Sequence, residues 1–167
     1  MNALVVDSTQ WIELPGAPEA LEVRIGPSVL LEMLRDYFAV AQQSAAGLVR
    51  VRWRGKRPRF TAWWPAFTLI DLGAPAYESS PDRCAINLDV LGGWLVDPAS
   101  TPCLTIAVTR HANTLVASVE LHDYAPRGVR WAAVRWLYLH SQVPIHAHVG
   151  LTYLRLLKQG WIAPICV

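Results

Sequence analysis

The sequence has few cysteines and lacks several common catalytic and phosphate-binding motifs. Its 167 residues include only three cysteines, Cys84, Cys103 and Cys166, which lie far apart and form no Cys-x-x-Cys pair. A disulfide framework or a zinc knuckle is therefore not expected, and reduced thiols in a cytoplasmic protein are the simpler interpretation. Gly-x-Ser-x-Gly and phosphate-loop patterns are also missing. We predict no cofactor and no metal site.

Charged residues are scarce, and long apolar runs are absent. Asp, Glu, Lys and Arg make up 17% of the chain against 53% hydrophobic residues, the formal net charge is +2, and there are eight tryptophans. This composition is far from that of a disordered chain and predicts one globular domain, residues 1–167. No uninterrupted apolar run approaches the roughly 18 residues of a membrane helix. We expect neither a membrane span nor a signal peptide.

The clearest helix pattern covers residues 29–45. Apolar side chains recur there at steps of three and four, at Leu30, Met33, Leu34, Tyr37 and Ala41. Gly26-Pro27 separates this helix from a short strand predicted at 19–25. We therefore expect one helix near the N-terminus.

The segment 48–64, LVRVRWRGKRPRFTAWW, predicts a hairpin with one apolar and one basic face. A turn at Gly55-Lys56 pairs Arg54 with Arg57, Trp53 with Pro58, Arg52 with Arg59 and Val51 with Phe60. The basic face is either simply solvated or binds an anionic partner. Nucleic acid is not the expected partner, because Trp53 and Phe60 lie opposite the arginines and cannot form a stacking platform with them.

The remaining pattern is a run of strands followed by a long helix. Strands are predicted at 68–72, on either side of Gly92-Gly93, and in a hairpin of CLTIAVT and TLVASVELH joined by RHAN; residues 73–81 are predicted as a loop. Residues 130–140 suit a strand or a helix. From Pro144 to Gln159 the pattern is helical and apolar over most of its girth. The fold class predicted is α+β: about six to seven antiparallel strands in a curved sheet wrapped on the C-terminal helix.

The second half resembles the START-like, or SRPBCC, helix-grip superfamily in its uncharacterised bacterial branch. The residues that carry the likeness are CLTIAVTRHANTLVASVELHDYAPRG and RWLYLHSQVPIHAHVGLTYLRLLK, and the likeness covers about half of the chain. The resemblance implies an aromatic strand before the last helix and a cavity for apolar molecules between that helix and the sheet. The first half departs from the superfamily, which usually has two short helices where this chain has one long one.

This architecture predicts a ligand site, and two other functions stay open as alternatives. The expected partner is a hydrophobic small molecule or lipid. The candidate ligand-binding residues are His146, Val149, Gly150, Tyr153, Leu157, Trp53, Phe60 and Trp94. One alternative is a cyclase- or aromatase-like enzyme that uses the same cavity, with His146 and Tyr153 as candidate acid and base. The other is an interaction module that binds an anionic partner through the hairpin 48–64. His146 could equally be a core histidine bonded to a backbone carbonyl.

Overall fold

Two helices and eight strands make up the part of the chain that the computed structural model describes. Those residues are 5–15, 25–63, 67–127 and 132–161, with side chains of the second helix described from 145 to 160. The helices are α1 (Pro27–Ser44) and α2 (Ala132–Trp161). The strands are β1 (Val6–Leu14), β2 (Val49–Arg54), β3 (Arg57–Ala62), β4 (Thr68–Leu72), β5 (Ala76–Ser80), β6 (Arg83–Gly92), β7 (Cys103–His111) and β8 (Thr114–Tyr124).

All the strands belong to one open antiparallel sheet. Its order is β1-β8-β7-β6-β4-β3-β2, and β5 pairs with β6 beside this path. β5 takes the first half of β6 and β4 takes its far end. The sheet does not close on itself. Among the described strands, β1 and β2 are the ends of this path, and β5, which pairs with β6 alone, is a further edge beside it.

Both helices lie on the same face of the sheet. Alternate residues of the central strands, such as Ile86, Ile106 and Val119, are buried there together with one face of each helix. α2 contacts β1, β8 and α1, whereas α1 contacts β2, β6 and β7. Burial of this apolar surface is the main stabilising term. The predicted α+β class and the helix-grip arrangement are confirmed.

The register of the basic hairpin is confirmed pair by pair. Arg54 lies opposite Arg57, Trp53 opposite Pro58, Arg52 opposite Arg59 and Val51 opposite Phe60. Gly55 begins the turn with a φ of 62°, a left-handed conformation that glycine adopts without steric cost. The hairpin of β7 and β8 is also confirmed, and its turn is Ala112-Asn113.

Three features differ from the sequence predictions. The sheet has eight strands rather than six to seven, because β1 was not predicted and β5 falls in the predicted loop 73–81. The prediction of an aromatic strand before the last helix is wrong, since α2 already begins at Ala132 and Pro144 lies inside it. Alanine, leucine and arginine in this stretch favour a helix. The helix continues through Pro144, although an interior proline removes one backbone donor and crowds the carbonyl four residues before it. The strand predicted at 19–25 lies largely outside the described residues.

α2 is also less buried than we expect from the apolar residues around most of its circumference. Val149, Tyr153 and Leu154 are buried, but Leu151 and Leu156 are 41% and 49% exposed. An edge position in an open sheet explains this, because β1 and α1 cover only one side of the helix. The sheet therefore grips one face of α2 rather than enclosing it.

Candidate functional site

A cavity of about 150 Å³ lies between the sheet, α1 and α2. Most of its wall is apolar, and every strand but β5 contributes to it. The lining residues are Ser8, Gln10, Tyr37, Ala41, Ala45, Val49, Phe60, Leu69, Ile70, Leu72, Val90, Leu95, Leu104, Val119, Leu121, Tyr124, Ile145, His146 and Val149. None of these side chains is a carboxylate, lysine or arginine. The cavity is thus an apolar chamber with a small number of neutral polar groups, as small-molecule sites commonly are.

A β-bulge near the end of β8 brings Tyr124 into the cavity wall. Leu121 pairs with Ser8 but Tyr124 pairs with Val6, so three residues of β8 are matched by two of β1. The extra residue is Asp123, with a φ of 54°, and its backbone N–H donates to Asp7 Oδ1 at 2.8 Å. Bulges of this kind redirect a side chain. Tyr124 is buried, and its hydroxyl donates to the carbonyl of Leu95 at 3.1 Å.

The polar side of the cavity on β1 is made by Ser8 and Gln10. Gln10 Nε2 donates to Ser8 Oγ at 2.5 Å, which holds both side chains against the wall. Gly150 of α2 faces them: a Cβ built there would lie 2.5 Å from Gln10 Oε1. Glycine at 150 therefore leaves room for the glutamine amide between the helix and the edge strand.

His146 is the one imidazole in the lining. Its ring meets the ring of Tyr124 edge to face, with centroids 6.1 Å apart. Burial lowers the pKa of His146 below its ordinary 6.5, because the charged form loses its hydration. No described residue forms a hydrogen bond to either ring nitrogen. A neutral imidazole offers one donor and one acceptor, so it can bond a hydroxyl or a carbonyl of a bound molecule.

Two tyrosines form the inner end of the helix interface. Tyr37 of α1 lines the cavity, and burial raises its pKa to about 12. Tyr153 of α2 packs edge-on against Tyr37, with centroids 5.5 Å apart. Burial, followed by Asp36 and Tyr37, raises the pKa of Tyr153 still further. The Tyr153 hydroxyl is buried without a hydrogen-bond partner among the described residues. Both phenols are therefore neutral.

The candidate residues from the sequence fall into three groups. His146, Val149 and Phe60 line the cavity. Gly150 and Tyr153 lie directly behind the lining, against Gln10 and Tyr37, and Leu157 is partly buried against the core. Trp53 packs on Phe38 and Trp94 on Phe67, and these tryptophans are 40% and 59% exposed outside the lining.

Several lining residues were not identified from the sequence. The polar ones are Ser8, Gln10, Tyr37 and Tyr124. Tyr37 lies on the predicted apolar face of α1, where a phenol counts as core. Ser8 and Gln10 occupy inward positions of β1, between Val6 and Ile12, and the alternation that continues past them is the signal that could have found them.

The arginines of the hairpin divide into paired and unpaired ones. Arg59 Nε and Nη2 donate to the two carboxylate oxygens of Asp71 at 2.9 and 3.2 Å, and Arg57 Nη2 donates to Asp71 at 3.2 Å. Arg50, Arg52, Arg54 and Lys56 are exposed and have no ion pair with a described residue.

The described residues offer no cluster of three or more His, Cys, Asp or Glu side chains that could hold a metal ion. Cys84 is buried and Cys103 is partly buried, both as free thiols, while Cys166 lies outside the described ranges. Neither described helix is both long and apolar enough to cross a membrane.

Comparisons with known proteins give only distant likenesses. No protein-family model matches the sequence, and no curated protein matches it either. A point mutant of norcoclaurine synthase from Thalictrum flavum, solved with a transition-state analogue, is 12% identical over 93% of this chain and 98% of its own, with a TM-score of 0.39. An uncharacterised protein from Rhizobium leguminosarum is 11% identical over 95% and 99%, TM-score 0.39. Mll3558 from Rhizobium loti is 14% identical over 87% and 99%, TM-score 0.35. Likenesses this weak carry no argument about ligand or reaction.

Proposed function

We propose that the protein binds a small, uncharged, largely apolar molecule in the cavity between the sheet, α1 and α2. The observation that carries this proposal is the chamber itself, which has an apolar wall and neutral polar groups but no formal charge. A core built only for stability is close-packed, and a void of about 150 Å³ forfeits packing. The presence of this void is better explained by a small molecule that binds in it.

The size of the cavity limits the size of the molecule that it can bind. An apolar cavity of this volume holds a molecule of about the size of one aromatic ring. The wall has no cation to bind a carboxylate and no carboxylate to bind an amine. The neutral phenol of Tyr37 and the neutral imidazole of His146 suit a hydroxyl or a carbonyl instead. A substituted phenol or a cyclic ketone has the expected chemistry.

A matched pair of variants tests the proposal. Ala41 lines the cavity and Ala39 is exposed on the same helix, so Ala41→Phe fills the chamber while Ala39→Phe adds the same ring to solvent. Thermal shifts are measured with phenols, cyclic ketones, fatty acids and sterols. At a ligand concentration of 100 Kd we expect a rise in Tm of roughly 5–10 °C for the wild type and Ala39→Phe, and none for Ala41→Phe. Equal shifts in all three proteins would remove the proposal.

One observation favours catalysis in the same cavity as a second candidate. The neutral ring of His146 has no hydrogen-bond partner among the described residues, so it is free to accept a proton from a bound molecule. Tyr153 does not line the cavity, and Tyr124 is the phenol in contact with His146. The molecule that binds best is incubated with the wild type and with His146→Gln, and its consumption is followed by mass spectrometry. Turnover that is lost in the variant while binding persists supports an enzyme. Binding without turnover in either protein supports a carrier.

A further inference from the structure

The basic hairpin carries exposed apolar side chains on the same face as its unpaired cations. The backbone N–H of Trp63 donates to the carbonyl of Leu48 at 2.8 Å, which extends the β2–β3 ladder one step past Val49 and Ala62. Side chains alternate along a strand, so Leu48 lies on the face of Arg50, Arg52 and Arg54. Leu48 is 69% exposed and Trp63 is 58% exposed.

The neighbouring loop end adds two more exposed aromatic rings. Ala62 N–H donates to the carbonyl of Phe67 at 3.0 Å, and Phe67 packs edge to face on Trp94 with centroids 5.6 Å apart. Trp94 is 59% exposed. Phe67 lies opposite Ala62, on the face away from the arginines, so the apolar end of the basic face is formed by Leu48 and Trp63. These two residues, together with Arg50, Arg52, Arg54 and Lys56, are here called the hairpin patch.

Ion pairing inside the protein does not account for these four cations. Asp71 forms ion pairs with Arg57 and Arg59 and has no oxygen bonded to the others. No described residue forms an ion pair with Arg50, Arg52, Arg54 or Lys56. A surface with unpaired cations beside an exposed tryptophan and an exposed leucine is complementary to one that is anionic and has an apolar layer beneath its charge.

We propose that the hairpin patch docks the protein on an anionic lipid bilayer. The cations lie against the lipid headgroups, and Leu48 and Trp63 enter the interfacial layer. Nucleic acid fits less well, because the aromatic rings gather at one end of the hairpin and do not alternate with the arginines along a strand path. This docking is independent of what the cavity binds.

Co-sedimentation with vesicles tests the docking at low and at high salt. The vesicles are pure phosphatidylcholine or phosphatidylcholine mixed with phosphatidylglycerol. We expect binding to the mixed vesicles at low salt, weakened by high salt, and little binding to pure phosphatidylcholine. Trp63→Ala is expected to weaken it roughly tenfold, and R50Q/R52Q/R54Q by at least about tenfold.

Controls elsewhere on the molecule separate docking from general stickiness. Trp11 is 61% exposed on β1, at the opposite edge of the sheet, so Trp11→Ala removes an equally exposed ring. Arg35 and Arg155 are exposed on the helices, so R35Q/R155Q removes charge from the other face. Both controls are expected to bind vesicles like the wild type, and unchanged melting curves show that every variant is folded.

Several outcomes would overturn the docking proposal. One is the absence of binding to phosphatidylglycerol vesicles at low salt. Another is an equal loss of binding in Trp11→Ala and Trp63→Ala, or in the two arginine variants. A third is displacement of the protein from vesicles by an equal charge of single- or double-stranded oligonucleotide, which would assign the patch to nucleic acid.

Discussion

Tyr124 of the sheet and His146 of α2 meet edge to face across one wall of the cavity, with ring centroids 6.1 Å apart. One ring is directed inward by the bulge at Asp123, and the other by its position on the gripped face of α2. Together they join the end of β8 to α2 beside the polar groups of β1. The cavity therefore depends on a backbone irregularity as much as on the apolar core.

Removal of two buried tyrosine hydroxyls should change the free energy of unfolding in opposite directions. The Tyr153 hydroxyl has no partner among the described residues, so Tyr153→Phe deletes a buried polar group that is already unsatisfied. We expect it to raise the free energy of unfolding by about 1 kcal/mol. The Tyr124 hydroxyl donates to the carbonyl of Leu95, so Tyr124→Phe should lower it by about 1 kcal/mol. Urea titrations measure both. A loss of stability in Tyr153→Phe would show that its hydroxyl is satisfied.

Adjacent glycines between β6 and the following loop should differ in their tolerance of alanine. Gly92 and Gly93 have φ values of 142° and 131°, but a Cβ at Gly92 meets nothing within 4 Å, whereas one at Gly93 would lie 2.3 Å from the Leu69 carbonyl oxygen. Gly92→Ala is expected to cost about 1–2 kcal/mol from backbone strain alone. Gly93→Ala adds displacement of β4 and is expected to cost roughly 2–4 kcal/mol. Equal costs in chemical denaturation would contradict the close approach.

Stability should fall with acid partly because of His146. Burial lowers the pKa of His146 from 6.5, so the unfolded chain takes up a proton more readily than the folded one. The contribution of the neutral ring is complete above about pH 6.5 and is lost as the pH falls toward the lowered value. His146→Gln should therefore lose less stability than the wild type between about pH 7.5 and pH 5. His148→Gln, exposed on the same helix, should follow the wild type. Parallel curves for all three proteins would exclude His146 as a source of the slope.

Replacement of Asp71 should cost more stability than replacement of a more exposed carboxylate in an ion pair. It accepts three bonds from Arg57 and Arg59, and its side chain is 22% exposed. Asp82, by contrast, pairs with Arg110 but is 72% exposed. We expect Asp71→Asn to cost about 1 kcal/mol and Asp82→Asn to cost less than about 0.5 kcal/mol. The difference should shrink in high salt. Equal costs would mean that the Asp71 bonds add nothing beyond a surface ion pair.

The elements with clean periodicity could be predicted from the sequence. The α1 pattern and the β2–β3 alternation are local, and the Gly55-Lys56 turn fixes the register of that hairpin. Each side chain there has one environment, either core or solvent, so the pattern is readable.

The cavity wall was harder to predict for a physical reason. β1 carries Ser8 and Gln10 at inward positions and Trp11 at an outward one, which hides the strand alternation. Polar residues that serve a cavity are the ones that break the apolar pattern by which strands are recognised. β5 is a short, exposed edge strand with no apolar face, and the bulge that directs Tyr124 inward depends on one backbone angle at Asp123.

The presence of a guest in the cavity is tested most directly by a crystal structure of the protein soaked with 4-iodophenol, using the anomalous signal of iodine. The ring has the expected size, its hydroxyl suits His146 or Tyr37, and the iodine position needs no interpretation of weak density. We expect a strong iodine peak inside the cavity, and no peak there in crystals of Ala41→Phe. An interior without iodine, in crystals whose surface sites are occupied, would contradict the binding function.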